Sequence, residues 1–220
     1  MCGRYATTRS SADLSKLFEA YDETEGAVKA DYNVAPTDPV PIVRFSAGRS
    51  ARVLTVARWG LVPPWATDPR IGARMINARA ETVATSRAYA KAFESRRCLV
   101  PADGWYEWTR TPTGKQANYM NREDLVLAGI WGVKGDLRTF SVITTAARGE
   151  LARVHDRMPL LLPPDRWEDW LTATVSEDLL TPAGDDYLST IEIRAIGPAV
   201  GDVRNDGPGL IEPIEVGHLF

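Results

Sequence analysis

The sequence predicts an α+β fold, a single domain in which a strongly bent, mostly antiparallel sheet approaches a barrel and a few helices flank it. Two observations point there. Eight short apolar or alternating segments read as strands, against three stretches with helical spacing. Connections rich in proline and glycine, such as Val62-Pro63-Pro64-Trp65, Thr111-Pro112-Thr113-Gly114 and Gly207-Pro208-Gly209, are spread along the whole chain, with no repeat and no break in composition.

In chain order, Ser10-Ser11-Ala12-Asp13 has capping-box spacing, and Leu14, Leu17, Phe18 and Tyr21 follow at i, i+3, i+4 and i+7, which predicts a packing helix over about 11–21. Segments 40–46 and 51–58, joined by Ala47-Gly48-Arg49-Ser50, read as a hairpin. A helix is expected over 83–95, then strands over 98–108, 116–121, 125–133, 139–145 and 158–162. Pro163-Pro164 opens a helix over 165–172, with Trp167, Trp170 and Leu171 on one face, and 191–197 reads as the last strand.

A chain of 220 residues with 44% hydrophobic and 25% charged residues can bury a full core. Two cysteines 96 positions apart and two histidines form neither a disulfide framework nor a four-ligand zinc site, so no metal and no cofactor is expected, and a reducing compartment is. Cys98, between Arg97 and Leu99, reads as a buried core thiol. The first thirty residues lack a signal-peptide apolar stretch and no run approaches the roughly 18 apolar residues of a membrane span. A soluble cytoplasmic monomer without membrane contact is the expectation.

The net charge of −3 hides an asymmetry: residues 1–149 hold 21 Lys/Arg against 15 Asp/Glu, and residues 150–220 hold 5 against 14. Over 68–97, seven basic residues (Arg70, Arg74, Arg79, Arg87, Lys91, Arg96, Arg97) face three acidic ones (Asp68, Glu81, Glu94), which fits either an anion-binding surface or a solvated helix face.

Several residues are candidates for chemistry. Cys2 follows the initiator methionine; with Met1 removed, one carbon would carry both an α-amine and a thiol. Asn77, in Asn77-Ala78-Arg79-Ala80-Glu81-Thr82, either caps the following helix or orients a ligand, beside an arginine suited to phosphate. In Gly104-Trp105-Tyr106-Glu107-Trp108, strand alternation puts Trp105 and Glu107 on one face, so Glu107 is either an exposed carboxylate or one desolvated enough to serve as general acid and base. His155-Asp156-Arg157 offers the one mid-chain histidine, structural or functional. Trp65 ends a proline-stiffened loop, as a core plug or as a platform for an unpaired base.

The order of these motifs resembles the SRAP family, the SOS response-associated peptidase domain shared by bacterial proteins and the eukaryotic 5-hydroxymethylcytosine-binding, embryonic-stem-cell-specific protein. It runs through "MCGRY", "YNVAPT" (32–37), "RWGLVPPW" (58–65), "INARAET" (76–82), "RRCLVPADGWYEW" (96–108), "ITTAA" (143–147) and "HDRMP" (155–159), without departure at a motif position and strongest over 2–205. The resemblance implies a shield for abasic sites in single-stranded DNA, associated with the nucleoid when bound. The N-terminal cysteine attaches to the open-chain sugar aldehyde: its amine forms an imine, and its thiol closes a five-membered thiazolidine. An α-amine with a pKa of about 7.7–8.0 is nucleophilic at neutral pH where lysine, near about 10.4, is mostly charged.

By the same resemblance, Asn77 orients the cysteine and the sugar, Glu107 moves protons in imine formation and ring closure, and His155 assists sugar opening and reversal. Arg4, Arg79 and Arg157 hold phosphates, Thr145 is a further phosphate contact, and Trp65 and Pro36 shape the groove and wedge beside the missing base. Two other readings stay open. One is a thiol peptidase with Cys2 as nucleophile, His155 as base and Glu107 or Asn77 as orienter, acting on other chains or only on its own first peptide bond; the other is a non-catalytic reader of modified duplex DNA.

Overall fold

The computed structural model describes residues 2–112 and 114–214. Its strands are β1 (Tyr5–Thr7), β2 (Tyr21–Asp22), β3 (Asp31–Val34), β4 (Pro39–Ser46), β5 (Ala51–Trp59), β6 (Asn77–Arg79), β7 (Arg97–Thr111), β8 (Gly114–Lys134), β9 (Leu137–Ala146), β10 (Arg157–Pro159) and β11 (Glu192–Ile196). The helices are α1 (Ser11–Phe18), α2 (Ala80–Val83), α3 (Ala90–Ser95), α4 (Leu151–Val154), α5 (Trp167–Thr172) and α6 (Asp185–Leu188), with short 3-10 turns between.

The strands form one sheet in the order β11-β8-β9-β5-β4-β7-β1-β3, and β7 pairs with β8 as well. That extra pairing closes β7, β8, β9, β5 and β4 into a ring, so the expected bent sheet is a small barrel. Its pairs are antiparallel except β5 with β9. The interior is filled by Ile42, Trp59, Val100, Leu127, Phe140 and Val142 among others, all fully buried.

The long β7–β8 hairpin belongs to two surfaces. Its register shifts between Ala102 and Gly104, where Asp124 on the partner strand has φ 53°. Below that break the hairpin is barrel wall; above it β1 joins β7 at Tyr5↔Trp105 and β11 joins β8 at Ile193↔Met120. A bulge bends its strand, and Gly104 makes this one passable: a Cβ there would lie 2.5 Å from the Met120 carbonyl oxygen and from the Tyr119 ring.

The 40–46/51–58 hairpin is found at β4 and β5, register Val43↔Leu54. Four expectations need correction. The first helix stops at Phe18, because Glu19 turns left-handed (φ 50°) and Tyr21 leaves to pair with Val53; Ser10 caps the start, accepting from the Asp13 N–H. The helix expected over 83–95 is two short ones, α2 and α3. Between them the Thr85 N–H and the Thr85 hydroxyl both turn to the Thr82 carbonyl, three residues back, the local competition that makes threonine a poor helix interior. Segments 116–121 and 125–133 are one strand, since the polar Asn121-Arg122-Glu123-Asp124 continues through the bend instead of turning; Arg9 pairs with Asp124 there at 2.6 Å. The strand expected over 158–162 is regular only at Arg157–Pro159, after which Leu161 makes a single bridge to Leu127.

Arg97 is buried too, and so is not part of any anion-binding surface. Its guanidinium donates to the carbonyls of Phe93 and Glu94 at 2.9 and 3.2 Å and to those of Trp170 and Ala173, tying the C-terminal ends of α3 and α5 to β7. Helix C-termini present unpaired carbonyls with negative partial charge, which suits a cation. No helix among the described residues is long and apolar enough to cross a membrane.

Candidate functional site

β1 carries the N-terminus along the upper half of β7. With Tyr5 opposite Trp105 and the Tyr106 N–H donating to the Arg4 carbonyl at 3.0 Å, Cys2 is delivered beside Glu107. β6 approaches from the other side, parallel to β9 through Asn77↔Val142 and Arg79↔Thr144. From it the Asn77 amide Nδ2 donates to the Cys2 carbonyl oxygen at 2.7 Å. The Asn77 Oδ1 is buried and has no hydrogen-bond partner among the described residues. Asn77 therefore does not cap the following helix, whose N-cap is Arg79 without a side-chain bond.

Glu107 is 4% exposed. Burial raises its carboxyl pKa, opposed in part by the nearby His155. The strand alternation read from the sequence thus gives a desolvated acid rather than an exposed one. The Cys2 thiol is wholly buried, and burial, reinforced by the charge of Glu107, pushes its pKa far above the usual thiol value. Cys98 is buried as expected.

His155 follows α4 in extended conformation, and its Nδ1 accepts the Arg157 backbone N–H at 2.9 Å. In the neutral ring this leaves the proton on Nε2. The Asp156 Oδ1, 2.7 Å from the same Nδ1, is a partner only for a ring that carries a proton on Nδ1.

The three candidate phosphate arginines differ in what they already hold. Arg4 donates to Asn33 Oδ1 at 2.8 Å and to the Val200 carbonyl at 2.9 Å. Arg157 makes a two-pronged pair with Glu81 at 2.5 and 2.9 Å and donates to the Thr144 carbonyl at 2.7 Å; these bonds hold the Glu81 carboxyl below its usual pKa. Arg79 is exposed, and its guanidinium makes no hydrogen bond or ion pair among the described residues. Thr145 is buried opposite Met158, which leaves little of it to meet a ligand. Pro36 is half-buried, next to Thr37 at φ 82°.

Trp65 is 48% exposed with Arg87 5.4 Å over its ring, so it is no core plug. Its loop lies by the β8–β9 turn, where Lys134 bonds the Pro64 carbonyl. Cys2, Asn77, Glu107 and His155 are thus brought together, with Arg79 of β6 and Arg157 of β10 beside them, both strands paired to the C-terminal end of β9, while Trp65 stands toward the opposite end of β9. Three supporting residues escaped the sequence reading: Asn33 behind Arg4, Glu81 behind Arg157, and Tyr89, whose hydroxyl donates to the Asn77 carbonyl at 3.1 Å. Asn33 and Glu81 lie inside motifs; Tyr89 carried no signal.

A carboxylic acid, a histidine and an oriented residue 2 in one cluster suit proton transfer during carbonyl chemistry. The family model described as SOS response associated peptidase (SRAP) matches residues 1–203. The chain is 32% identical to the abasic site processing protein YoqW of Bacillus subtilis (strain 168), over 96% of this chain and 99% of that one. It is 30% identical to the abasic site processing protein YedK of Escherichia coli (strain K12), over 97% and 100%, and 30% identical to the abasic site processing protein HMCES of Gallus gallus, over 99% and 79%. A solved structure of a Bacteroides thetaiotaomicron protein superposes with a TM-score of 0.82 at 21% identity, covering 97% of this chain and all of that one, which speaks to the fold. One from Bordetella bronchiseptica gives 0.73 at 26% identity, over 89% and 100%.

Proposed function

This chain belongs to the SRAP family, and from that premise we propose that it captures abasic sites in single-stranded DNA covalently, through the α-amine and thiol of Cys2 once Met1 is removed. Processing of abasic sites is the activity for which its relatives are named. The observation that carries the chemistry is the convergence on residue 2: the Asn77 amide on its carbonyl and, beside it, a Glu107 carboxyl whose pKa burial raises.

The α-amine attacks the aldehyde carbon of the opened sugar, and water leaves as the imine forms. The thiol sulfur then adds to the imine carbon while its proton passes to the nitrogen, closing a ring of nitrogen, Cα, Cβ, sulfur and the former aldehyde carbon. Water is the one product released. Glu107, holding a proton at a pH where an exposed carboxyl would have lost it, donates to the departing hydroxyl and takes the proton back. His155, whose neutral ring carries its proton on Nε2, assists opening of the sugar. Arg79 meets a phosphate directly; Arg4 and Arg157 do so at the cost of bonds they now make.

The buried Cys2 thiol supports this reading over a thiol peptidase. A hydrolase needs a thiolate, which burial disfavours, whereas ring closure onto an imine uses a thiol already attached to the reacting carbon chain. The test is to incubate Met1-free protein with an abasic single strand and map the product. A denaturation-resistant adduct on the Cys2 peptide, heavier by the DNA less one water, is expected. Peptide cleavage without an adduct would favour the hydrolase, and salt-sensitive complexes alone would favour a reader.

A further inference from the structure

The barrel wall away from Cys2 gathers a cluster that the capture chemistry does not use. Trp131 on β8 is half-buried against the core, and the guanidinium carbons of Arg44, Arg96 and Arg138 lie 5.4, 5.7 and 5.9 Å from its ring centroid. Barrel closure assembles them. Arg44 on β4 faces Cys98 of β7, the Trp131 N–H donates to the carbonyl of Arg96, and Arg138 at the start of β9 pairs with Val133. Arg138 and Thr144, at the Cys2 end, lie six steps apart along β9, about 20 Å at the strand rise.

The charge is poorly balanced. One indole attracts a cation, but three guanidiniums about one ring repel each other. Among the described residues, the single carboxylate paired with the group is Glu23, 3.1 Å from Arg44 and shared with Arg49 at 2.9 Å. Arg138 spends its bonds on the Thr55 hydroxyl and the Val56 carbonyl, and Arg96 makes no side-chain hydrogen bond among the described residues. The Nε atoms of Arg44 and Arg138 are buried without a hydrogen-bond partner among those residues. Uncompensated positive charge at half-buried positions is costly unless an anion joins it. Arg96 also lines an adjoining cleft of about 410 Å³ with Trp65, Arg87 and Lys91, whose lining holds no acidic residue.

We propose that Arg44, Arg96 and Arg138 around Trp131 form a second anion site, remote from Cys2, that takes the oxyanion of a phosphate group. Three forked donors match its oxygens, and the anion offsets the mutual repulsion. Given the function proposed above, the expected source is a phosphodiester of the bound strand, running from the Cys2 groove over the Trp65 cleft. A free phosphate has the same chemistry.

The experiment uses undamaged DNA, so it does not depend on whether Cys2 captures aldehydes. NMR of the intact protein follows the Trp131 indole N–H and the arginine Nε–H signals during titration with inorganic phosphate, with a short single strand that fills only the Cys2 groove, and with a long one. Arg96→Gln is the main variant, because that side chain makes no hydrogen bond that the fold would lose; Arg138→Gln is the second. A saturable shift of the Trp131 signal with phosphate or with the long strand, abolished in Arg96→Gln, supports the site. If the long strand causes it, the same variant should lower the log–log salt slope for long strands by about one and leave short strands unchanged. A shift with inorganic phosphate alone assigns the site to free phosphate. A Trp131 signal that no titrant moves, or one that moves equally in both variants, overturns the proposal.

Discussion

The Asn77 side-chain amide donates to the Cys2 carbonyl oxygen at 2.7 Å, joining positions 75 residues apart. This bond holds the residue 2 carbonyl, alongside the packing of the Cys2 side chain in the core and the Arg4 backbone N–H on its thiol. Asn77→Ala should leave the fold intact and slow adduct formation. A net hydrogen bond of about 0.5–1.5 kcal/mol corresponds to about 2- to 13-fold, read as single-turnover crosslinking rates at saturating DNA.

Glu107 holds its proton more tightly in the folded protein than in the unfolded chain, because burial raises its pKa. The stability this contributes is present below the unfolded value of about 4.3 and is lost as pH rises through the folded value. Glu107→Gln removes the loss. Thermal unfolding should find the variant at least as stable as wild type at pH 7, with the difference shrinking toward pH 4, while its crosslinking rate falls by roughly a hundredfold. A variant less stable than wild type at pH 7 would argue against a desolvated acid.

Much of this site was legible in the sequence, for a physical reason. Period-two alternation put Trp105 and Glu107 on one face of β7, and the strand kept it so. Elements with strong local signals, the Ser10 cap and the β4–β5 hairpin, also appeared where spacing predicted. What failed depends on distant partners. The separation of 116–121 from 125–133 is overridden by pairing along β7, and the burial of Arg97 follows from α3 and α5 ending at the same point, which no local pattern reveals. Likewise Glu81 on Arg157 and Asn33 on Arg4 are contacts made by topology alone.

Arg97→Met should separate stability from function. It leaves helix-end carbonyls without their donor, costing about 3 kcal/mol, or roughly 6–12 °C in Tm for a chain of this size. Calorimetry measures the drop. Crosslinking per folded molecule should be unchanged, since Arg97 lies at the far end of β7 from Glu107.

Arg79 and Arg157 should differ as phosphate ligands. Arg79→Ala removes an exposed guanidinium and should flatten the salt dependence of single-strand binding by about one log–log unit or less. Arg157→Ala also frees Glu81, so a carboxylate is left facing the strand, and affinity should fall further than in Arg79→Ala. Equal affinities and wild-type slopes in both variants would remove these arginines from the groove.

The central claim is that amine and thiol of residue 2 act together, and the terminus tests it. Processed protein, protein with an intact extension before Cys2, Cys2→Ser and Cys2→Ala are each mixed with one abasic single strand, with and without borohydride, and run on a denaturing gel. Processed protein should give a stable adduct without reduction, and the extended form none, because its amide nitrogen cannot form an imine. Cys2→Ser and Cys2→Ala should give an adduct that becomes durable only after reductive trapping. An extended protein that crosslinks as fast and as stably as the processed one, its extension verified by mass, would rule out capture by the amine and thiol together.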